Sequence, residues 1–194
     1  VVIAATGRQA NTDGIGLELA GVECNQKGQV CTDTDTLATS APRIWAVGDV
    51  TGQLALTPVA VAQGRRLADQ LFGAGAAAAP ELELVPSVVF SHPPLGKVGL
   101  DEAQARQRHE QVRVYRSSFV PMAESVAGGQ HRSLSKLVGA GSEERVVGTH
   151  LLGESADEIL QGFAMAVRCG LTRAQMRQTL PIHPTSAEEV LLAR

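Results

Sequence analysis

The stretch LSKLVGAGSEERVVGTHLLG, residues 134–153, decides how the chain folds. Two runs rich in aliphatic and β-branched residues, 134–141 and 145–153, flank a short polar SEE at 142–144. A polar turn between two apolar runs predicts a hairpin of antiparallel strands. The period then changes. In SADEILQGFAMAVRCG, 155–170, Ile159, Leu160, Phe163 and Val167 recur at helical spacing, and Gly170 is placed to stop the helix. TRAQMRQ (172–178) and TSAEEVLLAR (185–194) predict two more helices. Upstream, VPSVVFSHPP (85–94) reads as a strand ending at two prolines, Asp101 opens a helix through His109, and QVRVYRSSF (111–119) alternates as a strand. Strands followed by clustered helices predict an α+β fold, an antiparallel sheet with helices on one side.

The N-terminal part has a different texture. VVIAA (1–5), GQVCT (28–32) and RIWAVGD (43–49) read as short strands, with a turn rich in Gly, Asn, Asp and Thr after the first. LTPVAVAQGRRLADQLFG (56–73) predicts a helix with Thr57 as N-cap, Pro58 as first helical residue and Gly73 as its end. AGAAAAPELE (74–83) is an Ala/Gly/Pro stretch of low complexity and marks a domain boundary. The opening VVIAATGR has neither an initiator methionine nor a charged leader region, and looks like a strand entered midway.

Composition narrows the function classes. Over 194 residues, 44% are hydrophobic and 19% charged, as in ordinary globular proteins. A net charge of -3 and an aromatic content of 3% argue against nucleic-acid binding, and the charge against an anionic membrane surface. No apolar run reaches the ~20 residues that span a bilayer. Cys24, Cys31 and Cys169 form no C-x-x-C or C-x4-C pair and no zinc spacing, which points to free thiols and a reduced, cytoplasmic compartment.

Several motifs bear on chemistry. In IHPTSAEEVL, 182–191, Thr185 and Glu188 have capping-box spacing, as do Ser155–Glu158 and Thr172–Gln175. The same Glu188 is placed to reach His183 just outside the helix; a carboxylate on one ring nitrogen fixes the tautomer and raises basicity, as acid–base work near neutral pH requires. Both readings stay open, with the expectation that one carboxylate oxygen does not serve both. Asp49 ends a predicted strand, where open α/β folds hold cofactors, and accepts either a ribose-type hydroxyl or only water. The N-terminus at Thr57 offers N–H groups to an anionic ring, or is satisfied by Thr57 itself. GIG at 14–16 fails as a dinucleotide fingerprint, because Leu19 stands where the third glycine belongs. His92, His109, His131 and His150 share no ligand spacing and read as surface or structural residues.

ATGRQANT (5–12), IWAVGDVTG (44–52), LTPVAVAQGRRLADQLF (56–72), VVFSHPPLGKVGL (88–100), VYRSSFVPM (114–122), VVGTHLLG (146–153), DEILQGFAMAV (157–167) and IHPTSAEE (182–189) follow one another in that order. Together they resemble the C-terminal portion of glutathione reductases, flavin-dependent pyridine-nucleotide disulfide oxidoreductases, over essentially the whole chain. The resemblance implies an interface (dimerisation) domain at 84–194 that forms a homodimer. It is preceded by a partial FAD/NAD(P)-binding α/β segment: the end of an NADPH domain at 1–8, the returning part of an FAD domain at 9–75, and a linker at 76–83. It implies FAD and NADPH as cofactors of the parent protein and glutathione disulfide as its substrate. His183 matches the acid–base histidine supplied to the partner subunit's site, and Glu188 its carboxylate partner. Asp49 and Thr57 match FAD positions, and Ala55 and Val88 positions beside NADPH. Arg65, Phe119, Met122, Thr185 and Glu189 match the substrate-binding region.

The FAD fingerprint, the redox-active C-x4-C and the NADPH glycine fingerprint lie upstream in that family and are absent from these residues. The resemblance therefore implies no cofactor and no reductase activity for the chain alone, which leaves a non-enzymatic dimerisation module as the alternative. Trypanothione reductases share HPTSAEE, and dihydrolipoamide dehydrogenases share the His-Pro-Thr with a later Glu but lack the arginine matched by Arg65. Two departures stand out: Ala10 where the family has proline, and Ala123 where it commonly has tyrosine.

Overall fold

The computed structural model describes residues 1–73, 79 and 81–194. These residues form two compact units, Val1–Leu82 and Glu83–Arg194. The expected linker 76–83 lies in part outside the described residues, as does most of the low-complexity stretch 74–83 that contains it.

In the first unit only the helix is long. α1 spans Thr57–Phe72 and turns Val59 and Gln63, one turn apart, into the unit. Its N-cap is Leu56, not Thr57, and Pro58 is the second helical residue. The Leu56 carbonyl accepts from both Val59 and Ala60, so the helix begins one residue earlier than the Thr-Pro signal predicts. Gly73 ends it in an extended rather than a left-handed conformation. The three predicted strands are not formed. Residues 1–5 pair with no described residue and are exposed, while 28–32 and 43–49 contribute single bridges, Cys24 to Val30 and Ala38 to Trp45. A strand exists only through its ladder partners, so β-branched composition alone does not make one. Val22, Val30 and Ala41 form a small core, with Leu17, Ile44, Ala46 and Val50 against it.

In the second unit, β1 (Ser87–Val89), β2 (Leu95–Gly99), β3 (Val112–Phe119), β4 (Ser133–Ala140) and β5 (Arg145–Leu152) make one antiparallel sheet in the order β1-β2-β5-β4-β3. The predicted 134–153 hairpin is its centre: Leu134 faces Leu152 and Leu137 faces Thr149 across it. Alternation sends Val98, Leu137 and Val146 to one face, where α4 (Ala156–Arg168) packs Leu160, Ala164 and Val167 onto them. Each such aliphatic side chain stabilises by about 1.5–3 kcal/mol when buried. α5 (Arg173–Gln178) and α6 (Glu188–Leu192) add Met176 and Val190 to the same core. α4 ends as expected at Gly170, whose φ of 65° lets Leu171 N–H reach the Ala166 carbonyl.

Two features depart from the expectation. β2 was hidden in sequence by Pro93, Pro94 and two glycines and is defined by its pairing with β5. Helices also occupy both faces, not one: α2 (Glu102–Arg108) buries Ala105 against Val138 and Leu100 on the second face. Asp101 caps α2 with Gln104 in a full capping box. A further short helix, α3 (Met122–Val126), follows β3.

Candidate active site

The last forty residues place the His–Glu pair. Thr185 Oγ1 donates to the Ile182 carbonyl at 2.7 Å and accepts from the Glu188 N–H at 3.2 Å. The Glu188 carboxylate returns the bond, accepting from the Thr185 N–H at 3.1 Å. The capping box is therefore present, although regular helix begins only at Glu188, three residues later than predicted. Thr172–Gln175 also forms its box, whereas Ser155 sits at φ 62° and makes no side-chain cap. A serine in the left-handed region does not present its hydroxyl as an N-cap, whose backbone is extended.

Glu188 also reaches His183, with Oε1 3.0 Å and Oε2 3.1 Å from Nδ1. The expectation that one oxygen does not serve both partners is overturned: Oε1 takes the Thr185 N–H and the imidazole together, as its two lone pairs permit. The Thr185 N–H first, and then His183, hold the Glu188 carboxyl below its ordinary value. A carboxylate acceptor requires the proton on Nδ1, which leaves Nε2 as the nitrogen able to exchange protons. The imidazole side chain is 74% exposed and that of Glu188 only 11%. The half-buried anion orients an accessible base.

His183, Thr185, Glu188, Glu189, Phe119 and Met122 line one open cleft of about 500 Å³. Val190 in the core and the C-terminal end of β3 bring these segments together. Glu189 accepts from Ser117 Oγ at 3.1 Å, so its carboxylate is tied to β3. Ala123 also lines the cleft. Glu154 and Ser155 line it too, and neither was a candidate in sequence. They arrive through the β5–α4 turn, for which no local pattern exists. α3, also missed, had a signal in Pro121 at its N-cap and Glu124 in its first turn. Glu124 holds its loop by accepting at 2.6 Å from His131 Nδ1.

The other candidates belong to the first unit, apart from Val88. Asp49 is exposed on a short 3-10 turn, Gly48–Thr51. Buried Gln63 fastens that turn to α1, accepting from Gly48 N–H at 2.7 Å and donating to Gln53 Oε1 at 2.8 Å. Gly48 has φ 77° and lies against Ala60, so a side chain there would be both strained and crowded. Ala55, Thr57 and Arg65 are exposed before and along α1. Val88 pairs with Gly96 and packs its side chain on the main core. Among the described residues no cluster of His, Cys, Asp and Glu could hold a metal ion, and no helix is long and apolar enough to cross a membrane. All three cysteines are exposed free thiols.

A five-stranded antiparallel sheet backed by α4–α6 thus carries a half-buried glutamate that orients an exposed histidine. The pyridine nucleotide-disulphide oxidoreductase dimerisation domain matches residues 85–194, and the pyridine nucleotide-disulphide oxidoreductase domain matches residues 1–64. The chain belongs to the pyridine nucleotide-disulphide oxidoreductase family. It is 48% identical over its full length to a glutathione reductase of Burkholderia cepacia, covering 42% of that protein. It is 42% identical to the chloroplastic/mitochondrial glutathione reductase of Pisum sativum, covering 35% of it. Its fold matches the HOCl-induced flavoprotein disulfide reductase RclA from Escherichia coli with a TM-score of 0.87 and 30% identity, over 97% of this chain and 43% of that one. The chain thus spans less than half the length of these relatives.

Proposed function

We propose that these residues are the C-terminal part of an NADPH-dependent glutathione-disulfide reductase: glutathione disulfide, NADPH and a proton give two glutathione molecules and NADP. The observation that carries this reading is the His183–Glu188 pair, 3.0 Å apart at the mouth of the cleft. Thiol–disulfide exchange needs a base of this kind, because the thiolate and not the thiol attacks sulfur. His183 Nε2 takes the proton from the attacking thiol and returns it to the departing glutathione thiolate. Glu188 orients the ring and fixes its tautomer. Phe119, Met122, Thr185 and Glu189 contact the substrate, and Arg65 holds one of its carboxylates.

The cofactors, FAD and NADPH, supply the two-electron reduction of the redox disulfide when bound. The first unit fits FAD, since α1 begins without a side-chain cap and Asp49 stands exposed on the turn that Gln63 fastens to α1. Asp49 would accept from a ribityl hydroxyl, and the N-terminus at Thr57 would face the pyrimidine edge. Beside NADPH, Val88 would offer only backbone, because its side chain is committed to the core; Ala55 is exposed for contact.

The test is kinetic. In the full-length protein, His183→Ala lowers glutathione-disulfide turnover by roughly 10²-fold or more, the usual size of an acid–base contribution. Unchanged single-turnover release of glutathione in that variant would remove His183 from the chemistry. A panel of glutathione disulfide, trypanothione disulfide and lipoamide separates this substrate from those of sibling reductases, a reading that the likeness to RclA keeps in play.

A second reading concerns assembly in the cytoplasm: residues 84–194 form a homodimer, and the chain by itself is a dimerisation module without cofactor. It is supported by the match to a dimerisation domain and by Met165, Leu180 and Ile182, which stand exposed on and after α4. Native mass spectrometry of the chain tests it; a flavin-free dimer is expected, and a monomer or a flavin-bearing species would overturn it.

A further inference from the structure

The second face of the sheet carries one basic side chain from each of four strands in a single register row. Lys97 of β2 faces His150 of β5, His150 faces Lys136 of β4, and Lys136 faces Arg116 of β3. Directly opposed residues project to the same side, so the four share one face and the row runs across the sheet for about 14 Å. The next row on that face is Leu95, Leu152, Leu134 and Ser118, again in register. α2 covers the flank beyond the basic row by burying Ala105 on Val138. What remains is a shallow groove of about 490 Å³, lined by the three leucines together with Arg116, Lys136 and His150.

Like charges directly opposite one another repel, and in this row Lys136 faces Arg116, while neutral His150 separates Lys136 from Lys97. One answer is already present: Glu102 of α2 meets Arg116 at 2.6 Å. Glu102 also acts on Lys136 at longer range, but among the described residues no direct ion pair holds Lys97 or Lys136, and His150 Nδ1 is shielded from solvent without a hydrogen-bond partner. Cations in one row and aliphatic side chains in the next complement a molecule that is anionic at one edge and apolar at the other. α2 itself shows the mode, with a carboxylate on the basic row and an apolar residue on the sheet beside it.

We infer that this groove binds a small amphipathic carboxylate, its headgroup on Lys136 and His150, with Lys97 next to His150 in the same row beyond the groove lining, and its aliphatic chain along Leu134, Leu152 and Leu95. The site is separate from the His183 cleft, and no residue of the reductase reading takes part in it. Binding also couples to a titration. His150 is held neutral to about pH 4, by burial first and then by Lys136 and Lys97, while Asp101 opposes them. An anion on the row offsets the two lysines and raises the His150 value.

NMR titration of the full 194-residue chain with decanoate below its micelle concentration tests the site, with 1-decanol and inorganic phosphate as comparison probes. Saturable amide shifts at Leu134, Lys136, His150 and Leu152, with an upward move of the His150 ring titration, are expected. Lys136→Met should weaken decanoate roughly tenfold, the size of a lost charge-assisted hydrogen bond. Lys97→Met, an exposed change that leaves the fold untouched, should weaken it in the same direction. Equal affinity for 1-decanol would reduce the groove to an apolar patch, and equal affinity for phosphate to an adventitious ion only. If Lys136→Met changes the dimer equilibrium and not decanoate affinity, the face is an interface between copies and the inference fails.

Discussion

Glu188 meets His183 Nδ1 through both carboxylate oxygens, at 3.0 and 3.1 Å, and spends one of them on the Thr185 N–H as well. The backbone bond is the larger cause of the lowered Glu188 carboxyl, and the histidine is secondary. His183→Ala should therefore raise the Glu188 titration only part of the way to the ordinary 4.5. Carbon NMR of the Glu188 carboxyl reads this directly; a full return to 4.5 would make the imidazole, not the cap, the main stabiliser. A depressed carboxyl contributes fully to stability above its unfolded value, and the contribution is lost as pH falls through the folded value. Glu188→Gln should accordingly flatten the acid limb of the unfolding curve.

Thr185 holds the other end of this device. Its hydroxyl donates to the Ile182 carbonyl and accepts from the Glu188 N–H, so it ties the histidine loop to the start of α6. Thr185→Ala should destabilise by about 1 kcal/mol, the usual loss of an N-cap oxygen. Thr185→Ser should recover most of that. Urea unfolding of the three proteins gives the comparison, and equal loss in both variants would show that the methyl group, not the hydroxyl, matters.

The five-residue spacing between His183 and Glu188 was legible because both lie in one local turn, where sequence distance sets spatial distance. So was the central hairpin, whose apolar runs switch to helical period at Ser155. Glu154 and Ser155 were not, since they enter the cleft only through tertiary packing of the β5–α4 turn. β2 escaped notice because its glycines serve close approach: a Cβ on Gly99 would sit 2.1 Å from the Val147 carbonyl oxygen of β5. The N-terminal strands were read from β-branched residues, yet among the described residues, 1–5 pair with nothing and 28–32 and 43–49 make only single bridges. The basic row across the sheet was equally invisible, because its members lie far apart in sequence and only register aligns them.

His150 gives a pH signature of its own. Its folded value is lowered from 6.5 to about 4 by burial, with Lys136 and Lys97 adding to it. A depressed histidine makes the native state bind fewer protons than the unfolded chain, so stability is full above pH 6.5 and declines as pH falls toward 4. Lys97 from β2, Lys136 from β4 and Arg116 from β3 share its face, and Asp101 acts on it in the opposite sense from the start of α2. His150→Gln should remove the slope between pH 6.5 and 4 while leaving the midpoint at neutral pH nearly unchanged. Urea midpoints at three pH values decide it; an unaltered slope would assign the acid sensitivity to other groups.

Arg173 is the buried cation that fixes where the His–Glu device sits. Only 4% exposed, it donates from Nη1 to the Leu191 carbonyl at 2.8 Å and from Nη2 to the Ala193 carbonyl at 2.5 Å. Its guanidinium lies 4.9 Å from the centre of the Tyr115 ring, and burial lowers its basicity without threatening its charge. Those carbonyls end α6, the helix that Glu188 begins and that Val190 anchors in the core. The Arg116–Arg194 backbone bridge, at 2.7 and 3.2 Å, fastens the same segment to β3. Arg173→Met removes both donors and leaves two shielded carbonyls unanswered, a loss of roughly 2–4 kcal/mol by the cost of unsatisfied buried groups. Arg173→Lys keeps the charge but not the fork, and should recover less than half of it. If urea unfolding shows Arg173→Met within about 0.5 kcal/mol of wild type, as for a surface change, α6 is held by Val190 and the β3 bridge alone.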